Sequence, residues 1–251
     1  MRKIFLFVAL LPVVSSAQIT EGRIVYAQSF QMRMDTNQLK MQLPAGFQMP
    51  KMPSIQFELL FNDSESIYQG KVDELKKTMP QTSGTPWEGM TVMFENKMSN
   101  EKTYINRNQK TSIESKTILD KLFLVKAPLE EKKWKLMNEM DTVAGYTCMK
   151  AKLLDDSSYV VAWFTPQIPV SVGPKDFYQL PGAILKLEMD SGRMTLRAIN
   201  VELKPLESGI IVIPTEGKEV TEAEYKELRK KKMEEMGGNM PGGPMIIQLN
   251  H

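Results

Sequence analysis

Cysteine and histidine are nearly absent: Cys148 and His251 are the only ones among 251 residues. One cysteine cannot close an internal disulfide, and one Cys with one His cannot build a zinc cage or a triad around a central His. A lone thiol of this kind is expected to be buried and inert. No glycine-rich phosphate loop and no serine elbow is found. Acid pairs such as Asp155 with Asp156 and Glu234 with Glu235 fall in a turn and on a charged helix, so nothing specific favours an all-carboxylate glycosidase site. The chain is therefore expected to be non-enzymatic and to need no cofactor.

Charge of one sign is also lacking. The formal net charge is +2, from 32 basic and 30 acidic side chains. Residues 1–17 have a basic start (Arg2, Lys3), an apolar run over 4–14, and the small residues Ser15, Ser16 and Ala17. This pattern predicts a signal peptide cleaved after Ala17, and the apolar run is shorter than the ~20 residues of a membrane span. Removal of Arg2 and Lys3 leaves 30 basic against 30 acidic side chains, which gives no electrostatic reason to hold nucleic acid. No cysteine follows the run to carry a lipid anchor. The expected location is the periplasm or an association with the outer membrane, with no transmembrane span in the mature chain.

What is present reads as strands. Residues 23–34 alternate through Ile24, Tyr26, Met32 and Met34 with one slip that points to a bulge. Residues 35–54 carry Pro44, Pro50 and Pro53 and read as a long loop. Residues 55–62 and 64–69 form a hairpin around Asn62 and Asp63, and 71–90 read as an irregular insertion. A second pair is expected from 91–97 and 102–107, then strands over 111–125, 133–138, 142–154 and 158–164. Residues 183–189 and 194–203 make a hairpin around Asp190, Ser191, Gly192 and Arg193. Strands and helices do not alternate, so a parallel α/β fold is disfavoured. The fold class is mainly β: a single curved antiparallel sheet, half-barrel-like, with a C-terminal helix. Residues 18–215 make up the β-rich domain. In 216–251, Thr221 and Glu224 form a capping box ahead of the one expected helix, followed by a flexible Gly/Met-rich tail.

Two features carry candidate function. Methionine is abundant at 19, and thioethers at Met32, Met34, Met49, Met52, Met233 and Met236 would suit Cu(I). Adaptable apolar packing explains the same residues. The second feature is a block with Trp163, Phe164, Pro166, Pro169, Gly173 and Pro174, continued by Phe177, Tyr178, Leu180, Pro181 and Gly182. Its prolines prevent helix and interrupt ladder bonding, so it should cross between strands as a rigid extended loop. Pro181 and Gly182 suit a type II turn that launches the strand at Ala183.

The block resembles the GLPGLI family of Bacteroidetes envelope proteins. Leu180, Pro181, Gly182 and Ile184 match the segment that names the family, while Gln179 replaces its first glycine and Ala183 its second leucine. Gly145, Tyr146, Cys148, Lys150 and Ala151 fit the pattern upstream. The resemblance implies an envelope role without an established activity. The block either shapes and plugs one end of the sheet or forms a ligand mouth rimmed by Trp163, Phe164, Phe177 and Tyr178. The expected function is a binding or docking module for an apolar ligand or for a periplasmic or outer-membrane protein partner.

Overall fold

The computed structural model describes residues 19–30, 55–78, 95, 98–155 and 159–235. One open curved sheet of twelve strands holds about half of these residues. Strand β1 (Gly22–Phe30) lies mid-sheet. From one side of it an antiparallel meander runs outward through β2 (Ile55–Phe61), β3 (Glu65–Gly70), β4 (Lys102–Asn106), β5 (Thr111–Ile118) and β6 (Lys121–Pro128). The chain then passes to the far edge. From there β7 (Trp134–Val143), β8 (Tyr146–Leu153), β9 (Val160–Thr165), β10 (Ala183–Met189) and β11 (Met194–Leu203) lead back to the other side of β1. A short β12 (Lys218–Val220) joins β6, and helix α2 (Glu222–Glu235) follows. Helix α1 (Val72–Thr78) lies between β3 and β4.

This order by itself requires curvature. Strands β6 and β7 stand ten positions apart in the sheet, which would be about 48 Å if it were flat. Residues 129–133 connect them and can reach about 21 Å at most. The sheet must therefore bend until its two sides approach each other.

The core follows the alternation of apolar residues. Ile24, Tyr26, Leu59, Phe61, Phe164, Ile184 and Leu187 pack in the main cluster with Cys148, Ala151 and Leu196. Each fully buried large side chain contributes about 1.5–3 kcal/mol. The Tyr26 hydroxyl donates to the Ile184 carbonyl at 2.7 Å and satisfies its one buried polar group. A second cluster joins Ile118, Phe123 and Val125 to Val220 and Tyr225, which seats α2 on β5 and β6. Lys116 fixes that seat by pairing with Glu114 at 3.0 Å and Glu222 at 3.4 Å, with its ammonium 5.3 Å from the centre of the Tyr225 ring.

Sequence and structure differ in several places. The expected first-strand slip belongs to the partner: β1 pairs with β2 without interruption, while the β1–β11 register shifts at Val25/Tyr26 and leaves Ile199 of β11 without an opposite residue. Residues 72–78 are helical, not irregular, with Leu75 packed on Ile55 and Met98. Residues 98–100 are helical too, and β4 pairs with β3 and β5, so the expected 91–97/102–107 hairpin does not form. The single expected strand over 111–125 is a hairpin turning at Leu119 and Asp120, and the one over 142–154 turns at Ala144 and Gly145. The pairing of β12 with β6 is parallel, the one exception to the antiparallel order among the described residues. The capping box is present: the Thr221 amide donates to Glu224 Oε2 at 2.7 Å and the Glu224 amide to Thr221 Oγ1 at 3.2 Å. The expected signal segment, the end of the expected first strand with Met32 and Met34, the expected loop over 35–54 with Met49 and Met52, and the tail with Met236 lie outside the described residues.

Candidate functional site

The proline-aromatic block leaves β9 at Thr165 and returns as β10 at Ala183. Between them Ile168, Val170 and Val172 are buried while Pro166 and Pro169 are exposed. That two-residue alternation is the signature of an extended segment lying face down on an apolar surface. It is tied back by the Ala183 amide to the Ile168 carbonyl at 3.1 Å and the Ile184 amide to the Val172 carbonyl at 2.9 Å. The turn at Pro181 is tighter than the expected type II: the Gly182 amide donates to the Leu180 carbonyl at 2.7 Å, a three-residue γ-turn. Gly173, Pro174, Leu180 and Gly182 are all buried, and Pro181 is exposed. Gln179 has a φ of 68°, a conformation that glycine adopts without steric cost. Its amide donates to Ser171 Oγ at 2.8 Å, and its side-chain oxygen accepts from the Lys132 amide.

The connection over 129–133 closes onto this block. The Tyr178 hydroxyl donates to the Glu130 carbonyl at 2.9 Å, Lys132 pairs with Asp176 at 2.6 Å, and Trp134 Nε1 donates to the Tyr178 carbonyl at 2.9 Å. Phe177 meets the Trp134 ring edge-to-face at 6.4 Å. The block thus holds the segment that bends the sheet.

Two of the four aromatic residues, Trp163 and Phe164, do not share a face of the sheet. Trp163 and Phe164 are successive in β9 and point to opposite faces. Both are buried and belong to the main cluster. Trp163 stands in a cross-strand row between Lys150 and Lys186, whose ammonium groups lie 5.6 and 5.1 Å from the ring centre. Lys150 is neutralised by Glu139 at 2.6 Å, and Lys186 by Glu188 at 2.7 Å and Asp141 at 3.6 Å. Asp141 belongs to β7, whose register with β8 shifts between Leu136 and Met140; Asp141 also reaches Arg197 of β11 at 3.5 Å. Trp163 Nε1 is buried and has no acceptor among the described residues.

Cys148 is buried, with its sulfur 3.6 Å from the Tyr146 carbonyl oxygen. Burial pushes the thiol up to about 11, so it stays protonated and unreactive at neutral pH. Met233 is half-buried on α2. Among the described residues no three His, Cys, Asp or Glu side chains gather to hold a metal, and no helix is long and apolar enough to cross a membrane.

A cavity absent from the sequence reading opens at the tip of the β5–β6 hairpin. Its volume is about 510 Å³, and Ile118, Leu122, Phe123 and Leu228 form its apolar lining between the hairpin and α2. Leu119 and Asp120 stand at the turn, and Lys121, Lys218 and Lys232 also border the space. Leu119 is 48 % exposed and has a φ of 58°. No Gly, Pro or Asn marks residues 118–123, so hydrophobic patterning reads straight through this turn.

Strand order and curvature define the class: a mainly β protein built on one large open sheet. A family model described as "Protein of unknown function (Porph_ging)" matches residues 154–186, which contain β9 and the proline-aromatic block. No curated protein matches the chain. Two solved structures of PNGF-II are similar in fold. The one in space group C2 has a TM-score of 0.54 and 18 % identity, covering 84 % of this chain and 33 % of that chain. The one in P21 has a TM-score of 0.53 and 18 % identity, covering 85 % and 34 %. This chain spans about a third of the length of those solved chains. At that identity the likeness is one of fold alone.

Proposed function

We propose that this chain is an exported, non-catalytic binding module of the bacterial cell envelope, and that it binds an apolar ligand in the groove between the β5–β6 hairpin and α2. The observation that carries this reading is the groove itself: about 510 Å³, within the ~300–1,000 Å³ of small-molecule sites, with aliphatic and aromatic walls and a cationic rim. The basic, apolar and small-residue sequence of 1–17 supports export. The resemblance to the GLPGLI family supports an envelope setting, and the family model matches the block that carries that resemblance. In the block, Phe164, Ile168, Val170, Val172, Tyr178 and Leu180 are buried in the fold, which favours a scaffold role and a binding surface elsewhere.

The test is titration of the mature chain with N-phenyl-1-naphthylamine, an uncharged fluorescent apolar probe. Saturable binding is expected, reduced at least about tenfold by Leu228→Glu, which places a charge in the apolar wall. Trp163→Phe should leave it unchanged. Binding that survives Leu228→Glu and falls with Trp163→Phe would place the site at the block.

A further inference from the structure

Leu119 is in the wrong place for a folding residue. It is the first residue of a two-residue hairpin turn closed by the Ile118–Lys121 pair, and its φ of 58° is a conformation that glycine or asparagine takes far more readily than a branched apolar side chain. Asp120 does not share the positive φ, so the turn asks for glycine at Leu119 in particular. The side chain gains little from burial there, since it is 48 % exposed. Glycine would relax the backbone and a polar residue would suit the solvent. A strained, exposed leucine at the edge of an apolar groove is better explained by contact with something that enters the groove.

The rim narrows what that is. Lys121 and Lys218 make no ion pair among the described residues, Lys232 pairs with Glu235 of its own helix, and Asp120 is the one acidic residue in the lining. Ammonium groups beside apolar walls of Ile118, Phe123 and Leu228, with Lys218 also in the field of Glu224, are complementary to an apolar chain that ends in an anion.

We infer that the groove holds a single-chain anionic amphiphile of the fatty-acid class, with Leu119 as its apolar lip and Lys121 and Lys218 facing the carboxylate. This rests on the groove being the binding site, and the experiment separates the two statements. In the full mature chain loaded with N-phenyl-1-naphthylamine, palmitate should displace the probe at about tenfold lower concentration than 1-hexadecanol, and Lys121→Gln with Lys218→Gln should remove that difference. Leu119→Gly should raise the thermal midpoint by ~2–4 °C through relief of the turn and weaken palmitate binding about tenfold. Equal displacement by the acid and the alcohol, or unchanged palmitate binding in Leu119→Gly, overturns the inference while leaving the groove a site. Binding of the probe only after Ile246→Ser and Ile247→Ser would assign the lip to the chain's own C-terminal segment and overturn it as well. No probe binding in wild type or variants overturns both readings.

Discussion

Gly182 is packed against the carbonyl group of Thr165 so closely that a β-carbon at Gly182 would lie 2.7 Å from the Thr165 carbonyl carbon and overlap its oxygen. Its φ of 146° adds a backbone conformation that side chains rarely adopt. Thr165 cannot withdraw, because β9 and β10 pair through Ala183 and Thr165. Gly182→Ala should therefore destabilise the protein by at least ~3 kcal/mol. Gly145→Ala, at a φ of 85° with nothing within 4 Å of the new β-carbon, should cost about 1 kcal/mol. Urea unfolding of the two variants checks this, and equal losses would show that the contact with Thr165 is soft.

Arg107, just past the end of β4, closes the corner made by the β2–β3 turn. Its guanidinium donates to the carbonyls of Asp63 at 3.2 Å and Glu65 at 3.0 Å, to that of Asn62, and to Ser66 Oγ at 3.2 Å. Burial pulls its pKa down to about 10, against the pull of Asp63 and Glu65. Arg107→Met should cost ~2–3 kcal/mol by leaving the corner carbonyls without their charged donor. Arg107→Lys should recover less than half, because an ammonium cannot reproduce the planar fork. Denaturation midpoints decide it, and full recovery by lysine would contradict the geometry.

Cys148 makes the fold sensitive to alkali. Its folded-state pKa of about 11 lies above the usual ~8.5, because burial disfavours the thiolate. A raised value means that the stabilisation is fully present below pH ~8.5 and is lost as pH rises toward 11, to a limit of ~3 kcal/mol. Tyr26 and Tyr68, both raised by burial, act in the same direction at higher pH. Stability measured from pH 7 to 10.5 should fall above ~8.5. At pH 8 a maleimide should label the native thiol at least on the order of a hundredfold more slowly than the unfolded one. Rapid native labelling would show that the sulfur is open to solvent.

Much of the fold was legible in the residues. Alternating side chains located β1, β2, β3, β9, β10 and β11, and the Thr221–Glu224 box marked the start of α2. These signals are local: a two-residue apolar period and a capping side chain act within a few residues of one another. The turns at Leu119–Asp120 and Ala144–Gly145 were missed, because in the first no residue advertises the positive φ and in the second the alternation continues through the glycine.

The sequence by itself determined the class of chain, its strand-rich pattern, the single Cys and single His, and the place of the proline-aromatic block. Tertiary structure decided what those parts do. Only the pairing of β1 with β11, residues far apart in the chain, brings the two meanders into one sheet. Only the short connection over 129–133 bends that sheet until Lys132 meets Asp176. The return of β12 and α2 to the β5–β6 hairpin left an apolar groove there. Burial and opening of this kind depend on which distant surfaces meet, and no local periodicity encodes that.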